Sequence, residues 1–335
     1  MKTRKIFINS FIGLCLALCA FIGFVFLRTS FTFSKISADS SGKEAPIYFL
    51  PELEDLPSKD NNQLTFLLLG QRGEGQPFGG LLTDSLIVLN LNKKNGKIAV
   101  LSLPRDLYVP VPNSAKKDKL NAVYAWGYEK NGVGLAMNYI KDTISRITGL
   151  YVDNAIVINF DGFEKFINAI GGITIELKED FIEDKQWWCD ENGKNCRAFV
   201  VPKGKNILDG EKTLFYIRSR FSSSDFDRAR RQQQVLLAVK EKLFSLGFLA
   251  NPLNVVKMLD LLENNIRTDV KTSDISKLID YYQREKIDFN DMTNYVFDNG
   301  PDGYLDAKYV NGIYILVPRT GDFTAIREKC LELVE

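Results

Sequence analysis

Two short apolar runs constrain this chain more than anything else in it. LTFLLL at 64–69 and AIVINF at 155–160 lack the alternation of a strand with one wet face. Such strands are buried on both faces, which places helices above and below the sheet that holds them. Segments 84–90 and 97–103 are two further strands, and NKKNG at 92–96 is a strong hairpin turn between them. At least one strand pair is therefore antiparallel. Asp161 caps a helix in which Phe163, Phe166, Ile167 and Ile170 recur at i, i+3, i+4 and i+7, and Gly171-Gly172 stops it. A further helical stretch follows 118–126 and runs to Thr148. Helix starts are expected at Asn251-Pro252 and at Thr272/Ser273, and closing strands at 295–297 and 313–317 around the turn NGPDG. The expected fold is α/β: a mixed central sheet flanked by helices in αβα layers.

Charged residues fall at particular places in this frame. The hairpin brings the start of one strand beside the end of the other, so Asp84 and Arg105 belong to one end of the sheet. Leu69 is followed by GQRGEGQPFGG, which is neither a Walker A loop nor a dinucleotide fingerprint. It is either an ordinary flexible loop or one whose backbone N–H groups approach a phosphate. The strongest concentration is in 208–234, LDGEKTLFYIRSRFSSSDFDRARRQQQ: five arginines between Arg218 and Arg231, and no lysine. Arginine in preference to lysine suits planar, bidentate recognition of phosphate or carboxylate. The residues from Thr213 to Arg220 are expected as a strand with Tyr216, Arg218 and Arg220 on one face. Ser222 to Asp225 then turn into a helix that shares Asp227, Arg230, Arg231 and Gln234 on one side. The plain alternative is a solvated basic helix.

Composition removes several functions. The chain has no histidine, which excludes Ser-His-Asp and Cys-His nucleophile machinery and histidine metal sites. Proton transfer is left to carboxylates, lysine, tyrosine or the substrate. The net charge is only +1, and Asp225 and Asp227 interrupt the arginine run, so nucleic acid is not the expected partner.

Residues 6–27 carry no charge and are long enough to span a bilayer. Lys2, Arg4 and Lys5 precede them, so 1–5 are expected in the cytoplasm and the rest outside the cell membrane, a single-pass signal-anchor topology. The alternative, a cleaved signal peptide, has a shorter apolar core. Residues 28–62 read as a tether. Cys189 and Cys196 bracket the polar segment DENGKN and are a plausible local disulfide in an oxidising compartment, with two free thiols as the alternative. Their spacing is poor for zinc. Segment 181–200, with Trp187 and Trp188, looks like an insertion at the rim.

Four stretches together resemble the LytR-CpsA-Psr family of cell-envelope proteins: 81–109, KLNAVYAWG at 119–127, INFDGFEKFINAIGGI at 158–173, and the arginine segment. The resemblance covers roughly 64–240. It implies a catalytic domain over 63–245 with a continuation over 246–335. It implies transfer of a glycopolymer from a polyprenyl-pyrophosphate lipid to peptidoglycan or another envelope acceptor. Arg105, Lys119, Arg218, Arg220 and Arg230 match family positions that hold the pyrophosphate, and Gln234 a polar position beside them. Asp84 matches a carboxylate associated with Mg²⁺. Asp227 matches one that orients the arginines or acts as base. Many members carry a second aspartate after the first strand; here that loop reads Gln71-Arg72-Gly73-Glu74, so Glu74 or Arg72 stands in its place. The alternative function is a membrane-anchored module that binds lipid-linked or anionic polymer without turning it over. A cytoplasmic-facing regulator is the third.

Overall fold

The computed structural model describes residues 55–76, 79–189, 196–245, 258, 261–270 and 292–335. The apolar run 6–27, most of the 28–62 tether, and the helix starts expected at Asn251 and Thr272 lie outside them. Among the described residues no helix is long and apolar enough to cross a membrane.

The chain begins with β1 (Gln63–Gln71), β2 (Thr83–Asn92), β3 (Ile98–Ser102), β4 (Tyr108–Pro110) and β5 (Lys117–Lys119). Helix α1 (Val123–Thr148) follows, then β6 (Asn154–Asn159), α2 (Phe160–Ala169), β7 (Ile173–Leu177), β8 (Phe181–Trp188), β9 (Arg197–Val201) and β10 (Gly204–Leu208). Next come α3 (Gly210–Arg218), α4 (Asp225–Ser245), β11 (Ile266–Thr268), β12 (Met292–Val296), β13 (Leu305–Val310), β14 (Ile313–Pro318) and α5 (Thr324–Val334). The central sheet has six strands in the order β11-β6-β1-β2-β3-β12. β1 is parallel to β6 and β3 to β12; the β1–β2, β2–β3 and β6–β11 pairs are antiparallel. The sheet is thus mixed and helices cover both faces, as the sequence pattern predicts. Of the expected closing strands, β12 joins this sheet, while β14 pairs with β13 in a separate hairpin and touches Leu107 by one parallel bridge.

The two faces of the sheet are used differently. Leu67, Leu69, Leu86, Val88, Ala155 and Val157 pack into a dense core with Met137, Ile140, Ile144 and Ile147 of α1 and Ile326 and Cys330 of α5. The alternate residues Leu68, Ile87, Ile156 and Ile158 face α2, α3 and α4 across an open cavity. On the second face of this run Leu68 lines the space, while Leu64 packs in a separate cluster against Leu91 and Ile98. β1 accordingly alternates between buried and half-buried residues.

The arginine segment requires a correction. The residues from Thr213 to Arg218 form helix, not strand. The Asp209 side chain accepts a 2.9 Å hydrogen bond from the backbone N–H of Lys212, capping α3. Gly210 admits the close approach of α2, since a side chain there would collide with the Glu164 carbonyl. Leu214, Ile217 and Arg218 then face the cavity at helical spacing, while Thr213 and Tyr216 are buried elsewhere. The β-branched and aromatic content of TLFYIR suits a strand, but the cap and the two-sided packing decide for helix.

Candidate functional site

The cavity has a volume of about 550 Å³ and lies between the sheet and α2, α3 and α4. Its floor follows strand register. Ile156, Leu68 and Ile87 form one row across three strands, and Ile158, Gly70 and Ser85 form the next. Phe163 and Phe166 of α2, Leu214 and Ile217 of α3, and Val235, Leu236 and Val239 of α4 complete an apolar wall. The second floor row is small: a Cβ at Gly70 would lie 3.1 Å from that of Ser85. The floor therefore drops where β1 and β6 end and β2 begins, the carboxyl end of parallel strands where α/β sheets open their crevices.

Beyond that drop the lining becomes cationic: Arg72, Arg105, Arg218, Arg220 and Arg228, with Asp84 among them. The sequence-predicted proximity of Asp84 and Arg105 is present, with Arg105 Nη1 donating to Asp84 Oδ1 at 2.8 Å. Arg105 Nε donates to Asp225 Oδ2 at 3.0 Å and lies 3.6 Å from Asp106. Burial opposes the charge of Arg105, but Asp225, Asp84 and Asp106 more than offset it and its pKa is raised. Lys119 sits outside the lining, with Nζ 2.6 Å from Asp106 Oδ1, so Asp106 links it to Arg105. Asn121 donates to Asp84 Oδ1 at 3.3 Å.

The guanidinium groups of Arg218 and Arg220 make no hydrogen bond or ion pair with any described residue. Arg218 stacks 4.3 Å above the Phe160 ring, and Arg220 lies 5.4 Å from that of Phe221. Burial and then the neighbouring charge of Arg72 lower the pKa of Arg218. Arg228 is 6% exposed, donates to the Asp84 carbonyl at 3.3 Å, and keeps a buried Nε without a partner. Burial lowers its pKa, with Arg105 and Arg220 adding to the effect and Asp225 and Asp84 opposing it. Six cations around this end, Lys119 included, face the carboxylates of Asp84, Asp106 and Asp225, an excess of three positive charges. Like charges held this closely repel, and an anion between them relieves the repulsion.

Other predicted residues go elsewhere. Asp227 closes a capping box at the start of α4: its Oδ2 accepts from Ser224 Oγ at 2.7 Å while Ser224 Oγ accepts from its backbone N–H at 3.1 Å. Arg230 points outward to Asp227 and Asp298, at 3.0 and 2.9 Å. Gln234 accepts from the Tyr216 hydroxyl at 2.8 Å and donates to the Glu176 carbonyl. Arg231 is buried and donates to the carbonyls of Tyr216 and Ser219 and to Ser223 Oγ, tying down the end of α3. None of these four lines the cavity. The residues that sequence reasoning passed over are Arg228 and Gln232. They could have been found by extending the apolar stripe Val239, Val235 and Leu236 back along α4, which reaches Gln232 and Arg228 at helical spacing.

Glu74 also lies away from the cavity and accepts a hydrogen bond from the Tyr128 hydroxyl. Its loop contributes Arg72 to the lining, while the Gly73 N–H donates to the Gly80 carbonyl at 2.9 Å. Among the described residues no three carboxylates or cysteines gather as a metal site. Asp84 alone suits Mg²⁺ in the mode where one carboxylate and substrate phosphates share the ion: Oδ1 is occupied, and Oδ2 has no hydrogen bond among the described residues. Cys189 and Cys196 are disulfide-bonded at the end of the β8–β9 hairpin.

The sequence profile of the LytR_cpsA_psr family matches residues 25–330. The chain belongs to this family. A relative from Enterococcus faecalis (strain ATCC 700802 / V583), named polyisoprenyl-teichoic acid–peptidoglycan teichoic acid transferase TagU, is 31% identical over 202 residues, 59% of each chain. The similarly named TagV of Bacillus subtilis (strain 168) is 28% identical over 75% of this chain and 59% of its own length. The family member described here thus spans about three-fifths of these relatives. Its fold matches the crystal structure of B. subtilis TagV with a TM-score of 0.61 and 23% identity, covering 82% of this chain and 98% of that one. It matches a structure described as TagT bound to LI-WTA with a TM-score of 0.60 and 22% identity, covering 84% and 96%.

Proposed function

We propose that this LytR-CpsA-Psr protein transfers a phosphate-linked glycopolymer from a polyprenyl-pyrophosphate carrier to a hydroxyl of a cell-envelope acceptor. It does so outside the cell, held to the membrane by residues 6–27. The observation that carries the proposal is the joining of two unlike surfaces in one cavity: an apolar channel of the kind a polyprenyl chain fills, ending at five guanidinium groups. The names of the relatives support a polymer of teichoic-acid type and peptidoglycan as acceptor.

The chemistry follows from the placement. The prenyl chain lies over Leu68, Ile87 and Ile156, and the pyrophosphate reaches the arginines. The guanidinium groups of Arg218 and Arg220, without a hydrogen bond or ion pair among the described residues, donate to its oxygens, and the buried Arg228 adds its charge behind them. Arg105 is fixed by Asp84 and Asp225 and contributes a steady field. The acceptor hydroxyl attacks the phosphorus that bears the polymer, the bond to the bridging oxygen breaks, and polyprenyl phosphate leaves with the charge that the arginines stabilise. Phosphoryl transfer of this kind depends on positioning and charge more than on covalent help. Mg²⁺, when bound at Asp84, would add further neutralisation of the phosphates. The hydroxyl proton passes to Asp84 or, when Asp84 holds the ion, to a phosphate oxygen.

Incubation of the purified protein with lipid-pyrophosphate-linked polymer and peptidoglycan tests the proposal. Release of polyprenyl phosphate together with polymer-labelled peptidoglycan is the expected result. Tight donor binding with no release would identify a holding module instead.

A further inference from the structure

Glu183 is a fully buried carboxylate with no ion pair among the described residues. It accepts five hydrogen bonds. Oε1 accepts from the backbone N–H groups of Lys185 and Gln186, at 3.1 and 3.2 Å, and from the Ser222 hydroxyl at 2.6 Å. Oε2 accepts from the N–H groups of Phe221 and Ser222, at 3.1 and 3.2 Å. Two segments thus meet on one side chain. The first is a bulge in β8, where register with β9 shifts between Glu183 and Trp187. The second is the turn Arg220–Ser223, closed by a 3.2 Å bond from the Ser223 N–H to the Arg220 carbonyl. Each segment lends side chains to the cavity edge: Gln186 from the bulge, Arg220 and Phe221 from the turn. Arg231 grips the opposite side of the turn through the Ser219 carbonyl and Ser223 Oγ.

A buried carboxylate whose hydrogen-bond donors are all neutral, with the charge of Arg231 helping at longer range, is costly to place, and a hydrophobic residue of the same size would pack without that cost. Its position is explained by what it holds. Phe221 is 54% exposed and the Arg220 guanidinium has no hydrogen bond or ion pair among the described residues, so neither side chain anchors the turn by itself. Burial alone would raise the pKa of Glu183, but the Ser222 hydroxyl and N–H, with the amides of Lys185 and Gln186, bring it below the usual value. The group is therefore anionic at neutral pH and keeps all five bonds.

We infer that Glu183 is a positioning residue for phosphate-headgroup binding: its carboxylate sets the turn that aims Arg220 into the cavity and the bulge that brings Gln186 to the same edge. The inference rests on the pyrophosphate-pocket reading above. The probes are farnesyl pyrophosphate and farnesol, which share a chain and differ in headgroup.

Glu183→Gln keeps the size but turns an N–H₂ group toward donors. It is expected to weaken farnesyl pyrophosphate binding roughly tenfold, the scale of one charge-assisted hydrogen bond, and to leave farnesol binding unchanged. Ser222→Ala, a milder change, is expected to shift the same ratio in the same direction by about threefold. In an Arg220→Ala background Glu183→Gln is expected to cost much less than in the wild type, because one of the two side chains it places is gone and only Gln186 remains. Equal losses for both ligands, or full additivity with Arg220→Ala, would overturn the inference. If Glu183→Gln does not fold, the Ser222→Ala ratio decides in the same way. A wild type that binds the two lipids equally would refute the pocket reading itself, and this inference with it.

Discussion

Arg218→Ala separates a binding arginine from a structural one. The Arg218 guanidinium has no hydrogen bond or ion pair with a described residue and rests 4.3 Å above Phe160. Deletion therefore loses a cation–π contact worth about 0.5–1 kcal/mol and relieves a charge that burial and Arg72 both disfavour. The two effects nearly cancel, and the stability change is expected within about 1 kcal/mol. For the headgroup the account is one-sided. One or two charge-assisted hydrogen bonds of about 1.5–3 kcal/mol each are lost with nothing gained. At tenfold per 1.4 kcal/mol, farnesyl pyrophosphate affinity should fall by roughly 10- to 10,000-fold. Thermal melting, titration with farnesyl pyrophosphate and release of polyprenyl phosphate measure the three quantities. Arg218→Lys keeps the charge but not the fork, and should recover part of the affinity. An Arg218→Ala protein that melts much lower than wild type, or that binds and transfers as wild type does, would refute the assignment.

Arg231→Met should do the reverse. It strips donors from the carbonyls of Tyr216 and Ser219, and a stability loss of about 2–4 kcal/mol is expected in urea titration. Ile156→Trp projects an indole from the cavity floor and should abolish binding of long prenyl chains while leaving the melting temperature unchanged or higher, as read by binding and calorimetry. Asp225 is drawn two ways: burial raises its pKa, but Arg228, Arg105 and Arg220 bring it below the ordinary carboxylate value. Its folded-state pKa is depressed, so its stabilisation is present above about pH 4 and is lost as pH falls through the folded value. Asp225→Asn should therefore lower stability at pH 7 and flatten the acid limb of the stability profile. Removing divalent cations with EDTA should slow transfer yet leave farnesyl pyrophosphate affinity within about threefold, because most of the countercharge is guanidinium.

How much of this was legible in the sequence depends on how local each signal is. The hairpin at 92–96 fixed which end of the sheet carries Asp84 and Arg105, because turn and register are set by neighbours in the chain. The arginine helix was found but its face was misread. Asp227, Arg230, Arg231 and Gln234 do share a side of α4, yet Asp227 serves the cap, Arg230 meets Asp298, and Arg231 serves the backbone of α3. Periodicity shows which residues stand together and is silent on what stands opposite. The strand expected around Arg218 failed for a similar reason. Its residues have strand-like propensities, and the contact that makes them helix, the seating of Gly210 against α2, lies 46 residues away in the chain, at Glu164. Glu183 carried no signal at all, since three of its five donors come from a turn 38 and 39 residues away in the chain.

The uninterrupted apolar strands have a deeper reading than the one from which the fold was first argued. A strand buried on both faces normally touches packed side chains on each. β1 does so on one face only, where Leu67 and Leu69 meet α1 and α5. On the other, Leu68 fronts open space that continues past Gly70 to Arg72. Left unfilled, an apolar surface of this size costs free energy in proportion to its area, so the cavity is a place where binding energy is stored. In the proposed function a prenyl chain would collect that energy over Ile156, Leu68 and Ile87 and bring it to bear where Gly70 and Ser85 make room for a headgroup among charges that repel one another. Such a ligand would both cover the apolar channel and neutralise the crowded guanidinium groups. The coupling predicts that chain length and headgroup charge reinforce each other. Adding isoprene units to a prenyl pyrophosphate should raise affinity more than adding them to the alcohol. Equal increments in the two series would show that channel and arginines act as separate sites.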